Sequence, residues 1–352
     1  IAALLLLIVS AISLFVWAVP EDSVKVYTKK ITFDKITRTV NVVDVDLKDK
    51  RVKVEAAAAN EETKTVEEML SLVKRKNAIA AINANFFAAY SDFSPVGAIA
   101  HQGKYLWRTY YGTSVGISDN NEVVFKTNDF RGSAKLFINF VEQYDYTWYF
   151  DREDFKRDTI IFRSQREIPI ELSKGVMITV KNGFISEVKY APADIVVPEK
   201  GYVLCFNMDV TPVLEELINT KYRIGHQIFF ERTKDSYGFI DEKKYGEIIT
   251  AGPRLLVDGK VELDPLAEGF SEKKIVEFRA QRSALGLTED NRLLMITVPN
   301  VTIYELAEIM KQLGAYQAMN LDGGASSGLY ANGKIITAPG RKLSTCLIVR
   351  IR

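Results

Sequence analysis

Apolar and polar residues alternate from Val24 to Ala58, as in Val40-Asn41-Val42-Val43-Asp44-Val45-Asp46-Leu47 and Val52-Lys53-Val54-Glu55-Ala56. Successive side chains of a strand point to opposite faces, so this period of two predicts an antiparallel sheet. At Thr65 the period changes. Val66, Met69, Leu70 and Val73 make one helical stripe. Glu68, three residues after Thr65, completes a predicted capping box. Asn77 suits the left-handed position that ends a helix. A short apolar strand over Ala78–Ile82 then leads into Asn83-Ala84-Asn85-Phe86-Phe87. Residues 105–250 read mostly as strands, with turns at Asp119-Asn120-Asn121, Lys181-Asn182-Gly183 and Lys200-Gly201. Asp258-Gly259 and Asn332-Gly333 are further hairpin signals. Only Tyr144–Arg163, aromatic and charged, follows no clear period.

One unit occurs twice. Thr65 to Asn83 aligns without a gap on Thr302 to Asn320, with Thr, Glu, Lys, two Ala and the final Asn coinciding. Each copy reads as a capped amphipathic helix, a helix-ending residue, and a buried strand with Asn at its carboxyl end. Two ordinary helix–strand units could coincide by chance, yet ligands of sheet proteins gather beyond such strand ends. The shared Asn favours paired elements of one site.

The first segment, Ile1–Val19, is apolar and uncharged. At ~1.5 Å per residue a helix of this length just crosses a bilayer core. Val16-Trp17-Ala18 also has the small-x-small character of a signal-peptidase site. Residues 1–19 are therefore expected to be a signal peptide or membrane anchor, with residues 23–352 as one domain outside the cytoplasm. No hinge-like linker divides that domain. A single α+β (mixed α/β) fold is expected, with a twisted mixed sheet flanked by a few helices.

Composition narrows the chemistry. The 352 residues are 47% hydrophobic and 26% charged, and Lys+Arg at 46 nearly balances Asp+Glu at 45. No bulk field points to nucleic acid, so recognition of an anion must be local. Cys205 and Cys346 each sit in an apolar run and read as buried thiols, with a disulfide in an oxidising compartment as the alternative. The two His, His101 and His226, have no ligand spacing, which argues against His-activated nucleophiles and zinc.

Two stretches stand out for chemistry. In Asn320-Leu321-Asp322-Gly323-Gly324-Ala325-Ser326-Ser327 a buried strand ends in a carboxylate, two Gly and two hydroxyls. That is either a plain Asp-Gly turn or an acid beside an anion-binding nest. Arg282, entering the apolar run Ser283–Leu287, is either a solvated edge charge or a fork-shaped anion ligand. Ala251-Gly252-Pro253-Arg254-Leu255, taken alone, looks structural.

Taken in chain order, Asn83–Phe87, Ala251–Leu255, Arg282–Gly286 and Asn320–Ser327, with Arg341 after them, resemble the phosphodiester glycosidase family. The likeness runs over about residues 24–352 and is densest from Gly252 onward. Four motifs depart from the family pattern. Asn-Gly-Gly-Phe-Phe has Ala84 and Asn85 at its Gly positions, Pro-Arg-Thr is Gln281-Arg282-Ser283, the third Gly after the Asp is Ala325, and an Asn past the Arg is Thr345. The resemblance implies hydrolysis of a sugar-1-phosphodiester, of N-acetylglucosamine type, to free sugar and a phosphomonoester. Bacterial members are often exopolysaccharide-related. It also implies catalytic roles for Asp322, Arg282 and Asn83, and substrate contacts by Gly252, Asn320, Gly323, Gly324, Ser326, Ser327 and Arg341. No cofactor or metal is expected. A non-catalytic glycan- or cell-wall-binding module on the same fold is the alternative, and a metal-dependent phosphodiesterase lacks clustered ligands.

Overall fold

The computed structural model describes residues 23–33, 35–108, 112–127, 133–150, 159–162, 169–232, 240–241 and 243–352. The apolar segment 1–19 and part of Tyr144–Arg163 lie outside them. Among the described residues no helix is long and apolar enough to cross a membrane.

In place of one mixed sheet, the described strands form five sheets. The first is wholly antiparallel and runs Val24–Phe33, Ile36–Asp46, Arg292–Val301, Ala280–Thr288, Ala315–Asn320, Arg254–Val257 and Lys260–Val261. A second, of five strands, is ordered Lys334–Thr337, Leu329–Ala331, Ala80–Asn83, Thr345–Ile351 and Val52–Ala58. The third, also five-stranded, centres on Glu247–Ala251 between Ile99–His101 and Thr113–Ile117. The three share one core. Val43, Leu285 and Met295 of the first meet Val54, Ile82 and Leu347 of the second and Val115 and Ile249 of the third. Of the alternation read from Val24 to Ala58, Val43, Val45, Leu47, Val52, Val54 and Ala56 turn into this core, while Val40 and Val42 face the other side of the first sheet.

On the other face of the first sheet lies the helix Ile303–Gln312. Its Leu306, Ile309 and Met310 pack on Leu255, Ile296 and Ala318. Burial of each such side chain contributes about 1.5–3 kcal/mol.

Described strands within the stretch from Ser133 to Arg232, placed in sequence between the strands Val123–Thr127 and Glu247–Ala251, build the fourth sheet. It holds seven strands and a parallel pair, Val141–Phe150 with Thr159–Phe162. The helix Pro212–Lys221 covers one face through Leu214 and Ile218. A two-stranded ribbon, Ile170–Leu172 with Ala193–Ile195, covers the other with Ile170, Leu172 and Ile195. The α+β class stands, with strands predominating and no described helix longer than ten residues.

The hairpin signals are realised as read. Asn182-Gly183, Asp258-Gly259 and Asn332-Gly333 all have positive φ at both residues, the geometry whose twist matches that of paired strands. Thr302 and Glu305 form a full capping box. The Thr65 box does not form. Glu67 pairs with Leu343 as a β-bridge, which keeps residues 66–68 extended, and the helix begins at Met69. Its end follows the reading: Asn77 has φ 51°. Cys205 and Cys346 are buried in different sheets, without a disulfide between them.

Candidate functional site

Strands of two sheets converge at their carboxyl ends around Asp322. In the first sheet Ala284 pairs with Asn320, and Leu321 N donates to Ser283 O at 2.9 Å. Continuing that register sets residue 282 beside 322. From the second sheet comes Asn83, 1% exposed. Its Nδ2 donates to Asp322 O at 2.6 Å, and its Oδ1 accepts from Ser283 Oγ at 2.7 Å and Gly328 N at 3.0 Å. Asp322 N in turn donates to Ala84 O at 3.0 Å. One amide thus ties three chain segments together, and with them the backbone of the acid.

The Asp322 side chain is half-buried. Its Oδ1 accepts from Gly323 N at 2.9 Å, and the Ser326 hydroxyl donates to the carboxylate. Burial nevertheless dominates and raises its pKa to about 6, against the lowering pull of those bonds and of the Arg341 and Lys274 charges. Desolvation disfavours the charged form, and only partial compensation is on hand. The turn needs its glycines. A Cβ on Gly323 would stand 3.0 Å from Gln281 O, and Gly324 has φ 60° with nothing within 4 Å of where its Cβ would lie.

Arg282 is 3% exposed. Its Nη2 donates to the carbonyls of Lys274, Ile275 and Phe278 at 3.2, 3.0 and 2.8 Å, and its Nε to Val301 O at 3.3 Å. Burial pushes its pKa down to about 10. Among the described residues no carboxylate pairs with it. A buried guanidinium is ordinarily matched by an anion, so its side chain combines a clasp on the 273–278 segment with an unmatched charge. The clasp holds the short helix Lys273–Val276, which brings Lys274 within electrostatic reach of Asp322.

Asn320, the repeat partner of Asn83, is equally buried at 1%. Its Nδ2 donates to Gly252 O at 2.7 Å, and Gly252 N donates to its carbonyl at 2.8 Å. The two Asn of the repeat therefore both bind backbone, Asn83 at Asp322 and Asn320 at Gly252. Asn320 Oδ1 and the Ser327 hydroxyl are buried with no hydrogen-bond partner among the described residues. Behind Gly252, Glu268 accepts from Thr113 Oγ1 at 2.7 Å and Arg254 N at 2.6 Å, and burial raises its pKa. Arg341 stays accessible, donating to Tyr90 Oη at 3.1 Å.

Of the residues singled out in the sequence, Asn83, Asn320, Gly252, Gly323 and Ser326 hold the turn together by these bonds, whereas Gly324 and Arg341 face accessible space. Lys274 and Tyr90 were not legible, because neither stands in a motif. Two departures from the family pattern touch each other. Thr345 Oγ1 accepts from Asn85 N at 3.0 Å, and the Asn85 amide donates to Val96 O and Ala98 O at 3.2 and 3.0 Å. The amide present at 85 and the hydroxyl at 345 fill one spot.

A larger cavity, about 700 Å³, is lined by Lys48, Asp119, Asn121, Glu122, Asn291 and Arg352. It lies at the opposite ends of these strands, since Asn291 turns the hairpin whose far end carries Arg282. Its charges are of both signs, so size alone recommends it. No group of three or more His, Cys, Asp or Glu among the described residues could hold a metal ion.

Stacked antiparallel sheets with a carboxylate-bearing glycine turn at one end define a β-rich α+β protein with a polar site where two sheets meet. The chain belongs to the phosphodiester glycosidase family, whose model matches residues 174–350, half of its length, including Gly252, Arg282, Asn320–Ser327 and Arg341. The family's name denotes a hydrolase of the glycosidase type. Among solved structures the chain is similar to a hypothetical protein from Synechocystis, with TM-score 0.72 and 19% identity over 94% of this chain and 62% of that one. A candidate exported protein from Burkholderia pseudomallei follows, with TM-score 0.59 and 18% identity over 89% and 74%. A third is the zebrafish N-acetylglucosamine-1-phosphodiester alpha-N-acetylglucosaminidase catalytic domain, auto-inhibited by its pro-peptide, with TM-score 0.51 and 14% identity over 94% and 83%. At these identities the likeness is one of fold. No curated protein matches the chain.

Proposed function

We propose that the chain is an extracytoplasmic glycosidase that hydrolyses a sugar-1-phosphodiester, the sugar being of N-acetylglucosamine type, to the free sugar and a phosphomonoester. The observation that carries this reading is the Asp322 carboxylate, raised to about 6 and neighboured by the cations Lys274 and Arg341. A base is most effective with a pKa near the working pH. Water adds to the anomeric carbon and Asp322 takes its proton. The C1–O bond breaks, and its electron pair leaves with the phosphate oxygen. A phosphate leaves readily without protonation, so the residual demand is charge neutralisation. Arg341, Lys274 and the unmatched Arg282 guanidinium supply it. Asn83, Ser326 and Gly323 keep the acid in place.

The test incubates the purified chain and Asp322→Asn with a panel of sugar-1-phosphodiesters, identifying products by mass and released phosphomonoester by phosphatase-coupled assay. Turnover by the wild type that is lost in Asp322→Asn supports the reading. Saturable binding of the same compounds without turnover by the wild type would replace it with the glycan-binding module.

A further inference from the structure

Beside the Gly324–Ser326 turn opens a cavity of about 340 Å³, lined among others by Phe87, Tyr90, Phe93, Ala325, Arg341 and Lys342. Small-molecule pockets begin at about this size, ~300 Å³, so it has room for one ring-sized group. Its position ties it to the candidate acid. Ala325 belongs to the turn that follows Asp322, and Gly340 N donates to Ala325 O at 2.8 Å, docking the Arg341 loop on that turn. Arg341 both lines the cavity and lowers the pKa of Asp322.

The aromatic wall is preformed. Ala88 N donates to Ser94 O at 2.9 Å, Phe93 N to Ala88 O at 3.2 Å and Val96 N to Phe86 O at 2.8 Å, which closes the loop on itself. At its tip Tyr90 is 92% exposed. Arg341 holds it there, with the guanidinium carbon 5.2 Å from the ring centroid and Nη2 on the phenol oxygen. A large aromatic ring kept in solvent by a cation, at the mouth of an apolar cavity, is a platform for the flat face of another ring.

Aromatic walls also suit ammonium groups, and the charges decide between the two. Arg341 and Lys342 are cations, no carboxylate among the described residues lines the cavity, and one face of Tyr90 already carries the Arg341 guanidinium. An ammonium group would meet two like charges with no anion to offset them. We propose that this cavity is the leaving-group subsite of the site proposed above, and that it selects phosphate esters of uncharged ring-bearing alcohols over those of cationic alcohols. The proposal rests on the phosphodiester reading of Asp322 and deepens it from one bond to both sides of that bond.

Because the leaving group departs as a phosphomonoester, the subsite can be assayed without turnover. Binding of methyl phosphate, cyclohexyl phosphate and phosphocholine to the full chain is measured by titration calorimetry. Cyclohexyl phosphate is expected to bind at least tenfold tighter than methyl phosphate, and phosphocholine no tighter than methyl phosphate. Tyr90→Ala, at an exposed position that leaves the core untouched, should cut the ring advantage at least fivefold. Lys342→Glu should raise phosphocholine affinity relative to cyclohexyl phosphate at least tenfold. Equal affinities for the three esters, or a preference for phosphocholine in the wild type, would overturn the subsite. Ordered binding in a chain that hydrolyses no phosphodiester would keep the subsite and reject the hydrolytic reading. Hydrolysis with no ring preference would do the reverse.

Discussion

Replacing Asp322 by Asn is expected to stabilise the free protein at neutral pH. Asn is nearly isosteric, its Oδ1 can still accept from Gly323 N, and its amide can donate to the Ser326 hydroxyl that now bonds the carboxylate. What disappears is the ionisation of a carboxyl that burial disfavours. Its pKa is about 6 in the fold against 3.8 for the unperturbed group. A pKa raised by folding means the stability contribution is whole below the unfolded value and lost as pH climbs through the folded one. The loss amounts to about 3 kcal/mol at pH 8, about half of that at pH 5 and well under 1 kcal/mol at pH 4. For a chain of this size that corresponds to a Tm gain for Asp322→Asn of about 3–5 °C at pH 8, shrinking below about 1 °C at pH 4. Scanning calorimetry on both proteins across pH 4 to 8 measures it. An Asn variant no more stable than wild type at pH 8, or a gain that does not depend on pH, would refute the desolvation argument. A site residue whose removal stabilises the fold is one retained at a cost to stability.

The same pKa predicts that kcat/KM rises with pH along a limb centred near 6, because the ionised form acts as base; a flat profile from pH 5 to 7.5 would remove that role. Asn83→Ala leaves Ser283 Oγ, Gly328 N and Asp322 O without their partner and is expected to cost about 3–5 kcal/mol, read as a fall in urea midpoint together with lost turnover. Arg282→Lys loses the Nε bond to Val301 O, and its shorter side chain withdraws the cation from the carbonyls of residues 274, 275 and 278; turnover should fall at least 100-fold, and proteolysis should become faster near residues 273–278. Thr302→Ala removes one half of the capping box and should lower stability by about 1 kcal/mol while leaving kcat unchanged.

Local rules were legible where local physics decides. Three two-residue turns with Asn or Asp before Gly have positive φ at both positions, because a right-twisted hairpin demands it and those residues tolerate it. The Thr302 helix starts where its capping box says. The matching Thr65 signal failed because a tertiary contact outweighed it: the Glu67–Leu343 bridge holds the chain extended through the would-be first turn. Sheet count was not legible for a related reason. Alternation tells which face of a strand is buried, not which strand it pairs with. Strands as distant in sequence as Val52–Ala58 and Thr345–Ile351 lie side by side.

The candidate site shows the same division. Asp322 and its glycines could be found because a carboxylate and two flexible residues at a strand end carry a chemical meaning on their own. The two Asn of the repeat were legible as buried strand ends, since equal spacing marks equal placement, yet spacing is silent on what an amide bonds. Asn83 binds the carbonyl of Asp322 and Asn320 that of Gly252. Their equivalence is thus architectural: two helix–strand units, one from each of two sheets, end in a buried amide that fastens the neighbouring loop. Lys274 and Tyr90 escape any reading of this kind. One reaches Asp322 only because Arg282 clasps the carbonyls of its segment, and the other faces the cleft only because Arg341 holds its ring. Residues that reach a site through a second side chain have no pattern of their own in the sequence. A three-dimensional contact is what defines them, and substitution of the holding residue, Arg282 or Arg341, is what would displace them.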